Sequence, residues 1–229
     1  MKKSLKEKVI LFIQAIIKLT LGITIIGILI FAPAQTINYW NGWLLMGLLF
    51  IPMFIAGIIM IIKSPNLLEK RLNAKEKEQE QKKVILYSGL MFLSGFIIAG
   101  LNYRYNWIMI PNIIVIISSI IFILAYIIYA EVLRENEYLS RSIEVQENQK
   151  VIDTGLYGIV RHPMYGATIL LFLTMPLILG SIISFVIFLI YPFIISKRIK
   201  NEEEVLEREL VGYTEYKNKV KYKMIPFIW

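Results

Sequence analysis

Charge is distributed along this chain in blocks, and the blocks decide what it can fold into. No Lys, Arg, Asp or Glu occurs from Leu19 to Ile62, from Val84 to Tyr103, from Tyr105 to Ala130, or from His162 to Ser196. Each gap is long enough for the roughly 20 apolar residues that cross a bilayer, and the first could hold two such segments. Charged residues make up about a quarter of an ordinary soluble domain. Here they are 18%, with 57% hydrophobic residues and a mean hydropathy of +0.62. The expected architecture is an all-α integral membrane protein with four transmembrane helices, a C-terminal helical hairpin and a cytoplasmic helical tail.

The spans are expected over about Leu11–Phe31, Trp40–Ile62, Val84–Leu101 and Trp107–Tyr129, with a short turn over Asn102–Asn106. Lys2, Lys3, Lys6 and Lys8 before the first apolar run resemble the start of a signal peptide. No small-residue cleavage site follows, which favours an uncleaved first span. The N-terminus, Lys63–Lys83, Glu131–Arg161 and Ser196–Trp229 carry four, seven, four and eight basic residues, against none and one in the two short loops between spans. Basic residues concentrate on the cytoplasmic side. The net charge of +8 therefore reads as a topology marker rather than a nucleic-acid surface, and both termini are expected in the cytoplasm. Within Lys63–Lys83, the Lys/Glu/Gln run from Lys75 to Lys82 reads as a solvated helix with close opposite charges.

That orientation puts Glu131–Arg161 and the tail on one side. The last apolar stretch, Ala167–Ile195, must then enter the membrane and return. At 1.5 Å per residue it is long for one helix and short for two crossings. Pro176 and Gly180-Ser181 near its middle favour a deep hairpin; the alternative is one tilted, kinked helix with the tail on the far side. The chain divides into a four-span region over 1–130, with its cytoplasmic linker at 63–83, and a C-terminal region over 131–229 containing the hairpin at 167–195.

Several chemistries are excluded by what is missing. One histidine, His162, and no cysteine leave no zinc ligand set, and no metal is expected. The only aspartate is Asp153, and no Gly-x-Ser-x-Gly elbow or phosphate-binding glycine loop accompanies it. What remains lies at the borders of the last apolar stretch. Gly155-Leu156-Tyr157-Gly158-Ile159-Val160-Arg161-His162-Pro163-Met164-Tyr165 places Arg, His and two Tyr in nine residues at a membrane boundary, where ionisable groups are costly and often mark a site. Beyond the stretch comes Arg198-Ile199-Lys200-Asn201-Glu202-Glu203-Glu204, which by itself also reads as a charged juxtamembrane helix with pairs such as Lys200–Glu204. Successive helical residues project about 100° apart, so one carboxylate can turn inward while others meet water. Tyr213-x-x-Tyr216 and Ile225-Pro226 follow.

Taken in order, these blocks resemble the isoprenylcysteine carboxyl methyltransferase and phospholipid methyltransferase superfamily, over the last 80 or so residues. Ala167 stands where that family usually has Gly, and Glu135–Arg141 also looks like part of the pattern without an assignable role. The resemblance implies an S-adenosylmethionine-dependent membrane methyltransferase acting on a carboxylate or amine of a lipophilic acceptor. It implies a cofactor site formed by Tyr157, Val160, His162, Pro163, Tyr165 and Glu202, with Arg161 and Glu203 as the catalytic candidates. Steroid and sterol reductases share a related Arg-His-Pro-Asn-Tyr block, but Met164 replaces that Asn here. An NADPH-dependent reductase and a non-enzymatic membrane protein are the alternatives.

Overall fold

A computed structural model describes residues 3–73, 79–140 and 142–229. All its regular elements are helical: α1 (Leu5–Ala34), α2 (Trp40–Lys63), α3 (Pro65–Asn73), α4 (Gln79–Tyr105), α5 (Asn112–Glu135), α6 (Pro163–Ile178), α7 (Ile182–Phe188), α8 (Tyr191–Glu209) and α9 (Tyr213–Lys219), with a 3₁₀ turn at Gly155–Gly158. Among the described residues, five helical stretches are long and apolar enough to cross a membrane: α1, α2, residues 81–105 of α4, α5, and Ile182–Glu209, which joins α7 to α8. The count expected from sequence was four plus a hairpin. The fifth arises because the second arm of the apolar stretch continues as helix well past Ile195, through the charged block at 197–204. Outward faces are as apolar as inward ones, with Ile17, Leu21, Ile51, Ile116 and Ile120 about half exposed or more, as lipid-facing helices require.

Helix ends depart from the expected spans for local reasons. α4 continues through Asn102 to Tyr105, where a turn was expected, because the buried Asn102 side chain ties the following loop to the helix. It donates from Nδ2 to the Ile108 carbonyl at 3.1 Å and accepts the Ile108 N–H at 3.2 Å. The fourth span begins at Asn112 instead of Trp107 because Pro111 caps it and disfavours helical backbone in the residue before it. In the linker, residues 74–78, and with them the first half of the expected solvated helix, lie outside the described residues. The linker's first part is not simply solvated: α3 buries Leu67 and Leu68, and Lys3 pairs with Glu69 at 2.8 Å.

After α6 the chain reverses over residues 179–181. The reversal is held by the start of α2, whose groups satisfy the carbonyls left open at a helix C-terminus. Tyr39 donates its hydroxyl to the Leu179 carbonyl, and Asn41 Nδ2 donates to that of Ile178 at 2.8 Å. Ser181 then caps α7, accepting the Ser184 N–H at 3.2 Å. The returning arm packs Phe188 on Phe92 and Phe96, against Gly95. A Cβ on Gly95 would lie 2.2 Å from the Phe188 ring, so only glycine admits this approach of α4 to α7. The Ser184 hydroxyl closes it by donating to the Gly95 carbonyl at 2.8 Å.

Candidate active site

The reversal brings the two charged borders of the apolar stretch to the same end. The first border is fixed from α5. Glu135 accepts the Thr154 hydroxyl at 2.9 Å and the Leu156 N–H at 3.2 Å. Gly155 lies directly against this carboxylate with φ +48°, where a Cβ would stand 2.2 Å from its oxygen. The 3₁₀ turn so held buries Tyr157, whose hydroxyl accepts from Asn136 Nδ2 at 3.0 Å. Tyr216 of α9 donates to the Tyr157 carbonyl at 2.8 Å. Glu135 and Asn136 thus supply the role that Glu135–Arg141 lacked in the sequence; Arg141 lies outside the described residues.

Arg161 and His162 run beside the C-terminal tail. Their N–H groups donate to the Tyr222 and Lys223 carbonyls at 3.0 and 2.7 Å. The Arg161 guanidinium is buried. It donates from Nε to Glu203 Oε1 at 2.8 Å, and from Nη1 to the Val220 and Lys221 carbonyls at 2.6 and 2.9 Å. His162 Nε2 lies 3.2 Å from the same Glu203 oxygen, and Lys223 Nζ 3.1 Å from the other. Glu203 therefore collects three basic side chains, two from the border before α6 and one from the tail. A buried carboxylate needs such company, since an uncompensated interior charge costs several kcal/mol.

Glu202, half-buried one residue earlier, accepts the Tyr165 hydroxyl, and that oxygen in turn accepts from Arg198 Nε at 2.8 Å. Arg198 Nη1 reaches Gln81 Oε1 at 2.8 Å, and Gln81 donates to Asn201 at 2.8 Å. Glu204 is exposed. Glu203 thus turns inward and Glu204 meets water, as the helical spacing allows, while Glu202 lies between and is held by Tyr165.

A cleft opens beside these residues. Tyr157, Arg161, His162, Tyr165 and Glu202 are on its wall, as are Tyr213 and Tyr216. Val160, Pro163 and Glu203 are not among the lining residues. Val160 is buried behind the wall, Pro163 opens α6, and Glu203 stands behind Arg161 and His162. Burial pushes the phenols of Tyr157, Tyr213 and Tyr216 above their ordinary range, so they remain neutral hydroxyls. The Tyr213 hydroxyl is buried with no hydrogen-bond partner among the described residues, an expensive state for a polar atom. Among the described residues no cluster of acidic and histidine side chains is placed to hold a metal.

Sequence reasoning assigned no role in the site to Arg198, Lys223 or Gln81. Arg198 had a signal, four residues before Glu202 and so on the same helical face. Lys223 and Gln81 had none, because only tertiary folding brings them to the site.

Five helical stretches of membrane-spanning length make this an integral membrane protein, with a cleft of Arg, His, Tyr and Glu side chains of the kind that is costly to keep near a bilayer. Residues 115–208, from within α5 almost to the end of α8, match the isoprenylcysteine carboxyl methyltransferase family. The match takes in both charged borders and supports a membrane methyltransferase; Tyr213, Tyr216 and the tail lie beyond it. Comparison with curated proteins gives no match.

Proposed function

We propose that the protein is an S-adenosylmethionine-dependent methyltransferase that modifies a lipophilic acceptor drawn from the bilayer. The observation that carries this reading is the junction of Arg161-His162 with Glu203, and of Tyr165 with Glu202, across the apolar reversal, inside the family match.

The donor set suits the cofactor. The Tyr213 hydroxyl, without a partner among the described residues, offers a buried hydrogen bond to a ligand. Glu202 suits an ammonium or ribose hydroxyls, and the tyrosine faces suit a positively charged sulfonium. Bound there, S-adenosylmethionine supplies an electrophilic methyl group. The protein's own work is alignment and exclusion of water. Arg161, oriented by Glu203 and the tail carbonyls, lines the cleft and suits holding an anionic acceptor in line. Glu203 acts as a positioning residue in this scheme. Set off the wall and bound by three basic groups, it is poorly disposed to take a proton, which favours a carboxylate acceptor over an amine. With the basic segments inside, the cleft faces the cytoplasm.

Radiolabelled S-adenosylmethionine should be retained by the purified protein in detergent and lost in Glu202→Ala. A thermal shift with NADPH and none with S-adenosylmethionine would overturn the proposal in favour of the reductase alternative.

A further inference from the structure

A second concavity, of about 1050 Å³, lies between α4 and the α7–α8 arm. The Gln81–Arg198–Tyr165 hydrogen bonds stand between it and the cleft. Its long wall is apolar and outward-facing: Tyr87, Leu90, Val186, Ile190 and Phe193 are each more than half exposed. Its end nearest the charged border is different. Lys83 of α4 lines it together with Lys197 and Lys200 of α8, with Glu204 the one carboxylate among the described lining residues. Lys197 and Lys200 are three apart and share a helix face. The groove thus joins an acyl-compatible wall to a basic end.

We propose that this groove is a binding site for an anionic phospholipid, with the phosphate among Lys83, Lys197 and Lys200 and an acyl chain along the α4–α7 wall. Charge complementarity selects the occupant. A soluble anion would make no use of the apolar wall, and a zwitterionic lipid would bring a positive charge of its own to the three lysines. Basic pockets between helices at a membrane surface recognise anionic headgroups through this combination. The site is independent of the methyl-transfer proposal, because phosphatidylglycerol carries neither a carboxylate nor an amine to be methylated.

The purified full-length chain in neutral detergent is mixed with phosphatidylglycerol or phosphatidylcholine, and bound lipid is counted by native mass spectrometry alongside the melting temperature. Phosphatidylglycerol is expected to be retained and to raise the melting temperature, with affinity falling about fivefold for each lysine replaced by glutamine. The triple variant Lys83→Gln, Lys197→Gln, Lys200→Gln should lose this retention. Removing three distant charges (Lys3→Gln, Lys6→Gln, Lys8→Gln) should leave it intact. Equal retention of phosphatidylcholine, or undiminished phosphatidylglycerol binding by the groove variant, overturns the proposal. Should the groove variant fail to fold, salt titration of the unmodified chain decides. Loss of phosphatidylglycerol at high salt supports a headgroup site, and salt-insensitive retention overturns it.

Discussion

Glu203 carries more of the site's electrostatic balance than any other side chain. Replacing it with Gln leaves the buried Arg161 and the partly exposed Lys223 without their carboxylate. Glu203→Gln is expected to lower stability by about 3 kcal/mol, measured by thermal unfolding in detergent. Lys223→Gln, at a position about a quarter exposed, should cost about 1 kcal/mol. Tyr213 should behave in the opposite way. Tyr213→Phe removes a buried hydroxyl that has no partner among the described residues, so the ligand-free protein should be as stable or up to about 1 kcal/mol more stable. Its S-adenosylmethionine affinity should fall nonetheless, and calorimetric titration would separate the two effects. A parallel loss of stability would mean that the hydroxyl already has a structural partner. At this scale the sequence showed where ionisable groups cluster, since Arg161, His162, Glu202 and Glu203 border an apolar stretch. It did not show what each group does. The partners of Glu203 come from the segment just before α6 and from the tail, and no local spacing encodes that convergence.

Among the elements, the contact between α4 and α7 is sharply specified. Gly95→Ala would drive a methyl into the Phe188 ring and should destabilise the protein by about 2 kcal/mol, as overpacked cores do. Adding Phe188→Leu should restore part of the lost melting temperature, whereas a purely backbone effect of the alanine would leave the double mutant no better. The long helices were readable because each coincides with a charge gap, and a gap of that length has few solutions in a bilayer. Their ends were less readable. Asn102 extends α4 through side-chain bonds to a residue six positions on, and Pro111 delays α5. The continuation of α8 past Ile195 escaped a hydropathy reading because its charged residues end the apolar run without ending the helix.

At the scale of the whole molecule, the orientation expected from basic-residue counts can be tested directly, because the chain has no cysteine. In intact cells a membrane-impermeant maleimide should label Asn106→Cys, and should reach Lys6→Cys and Glu215→Cys only after permeabilisation; labelling of Glu215→Cys alone with Asn106→Cys would place the tail outside. Charge asymmetry in the sequence is what sets this expected orientation, whereas the tail's hydrogen bonds to the site carry no such signal. Arg161 donates to the Val220 carbonyl, 59 residues further along the chain. At the usual pace of synthesis, roughly 5–20 residues per second, those partners appear about 3 to 12 seconds after the arginine itself. Until then the guanidinium has no carbonyl cradle to enter and stays with water at the membrane surface. The order of translation therefore makes the cleft wall a late event, assembled only after every apolar helix of the chain has been synthesised.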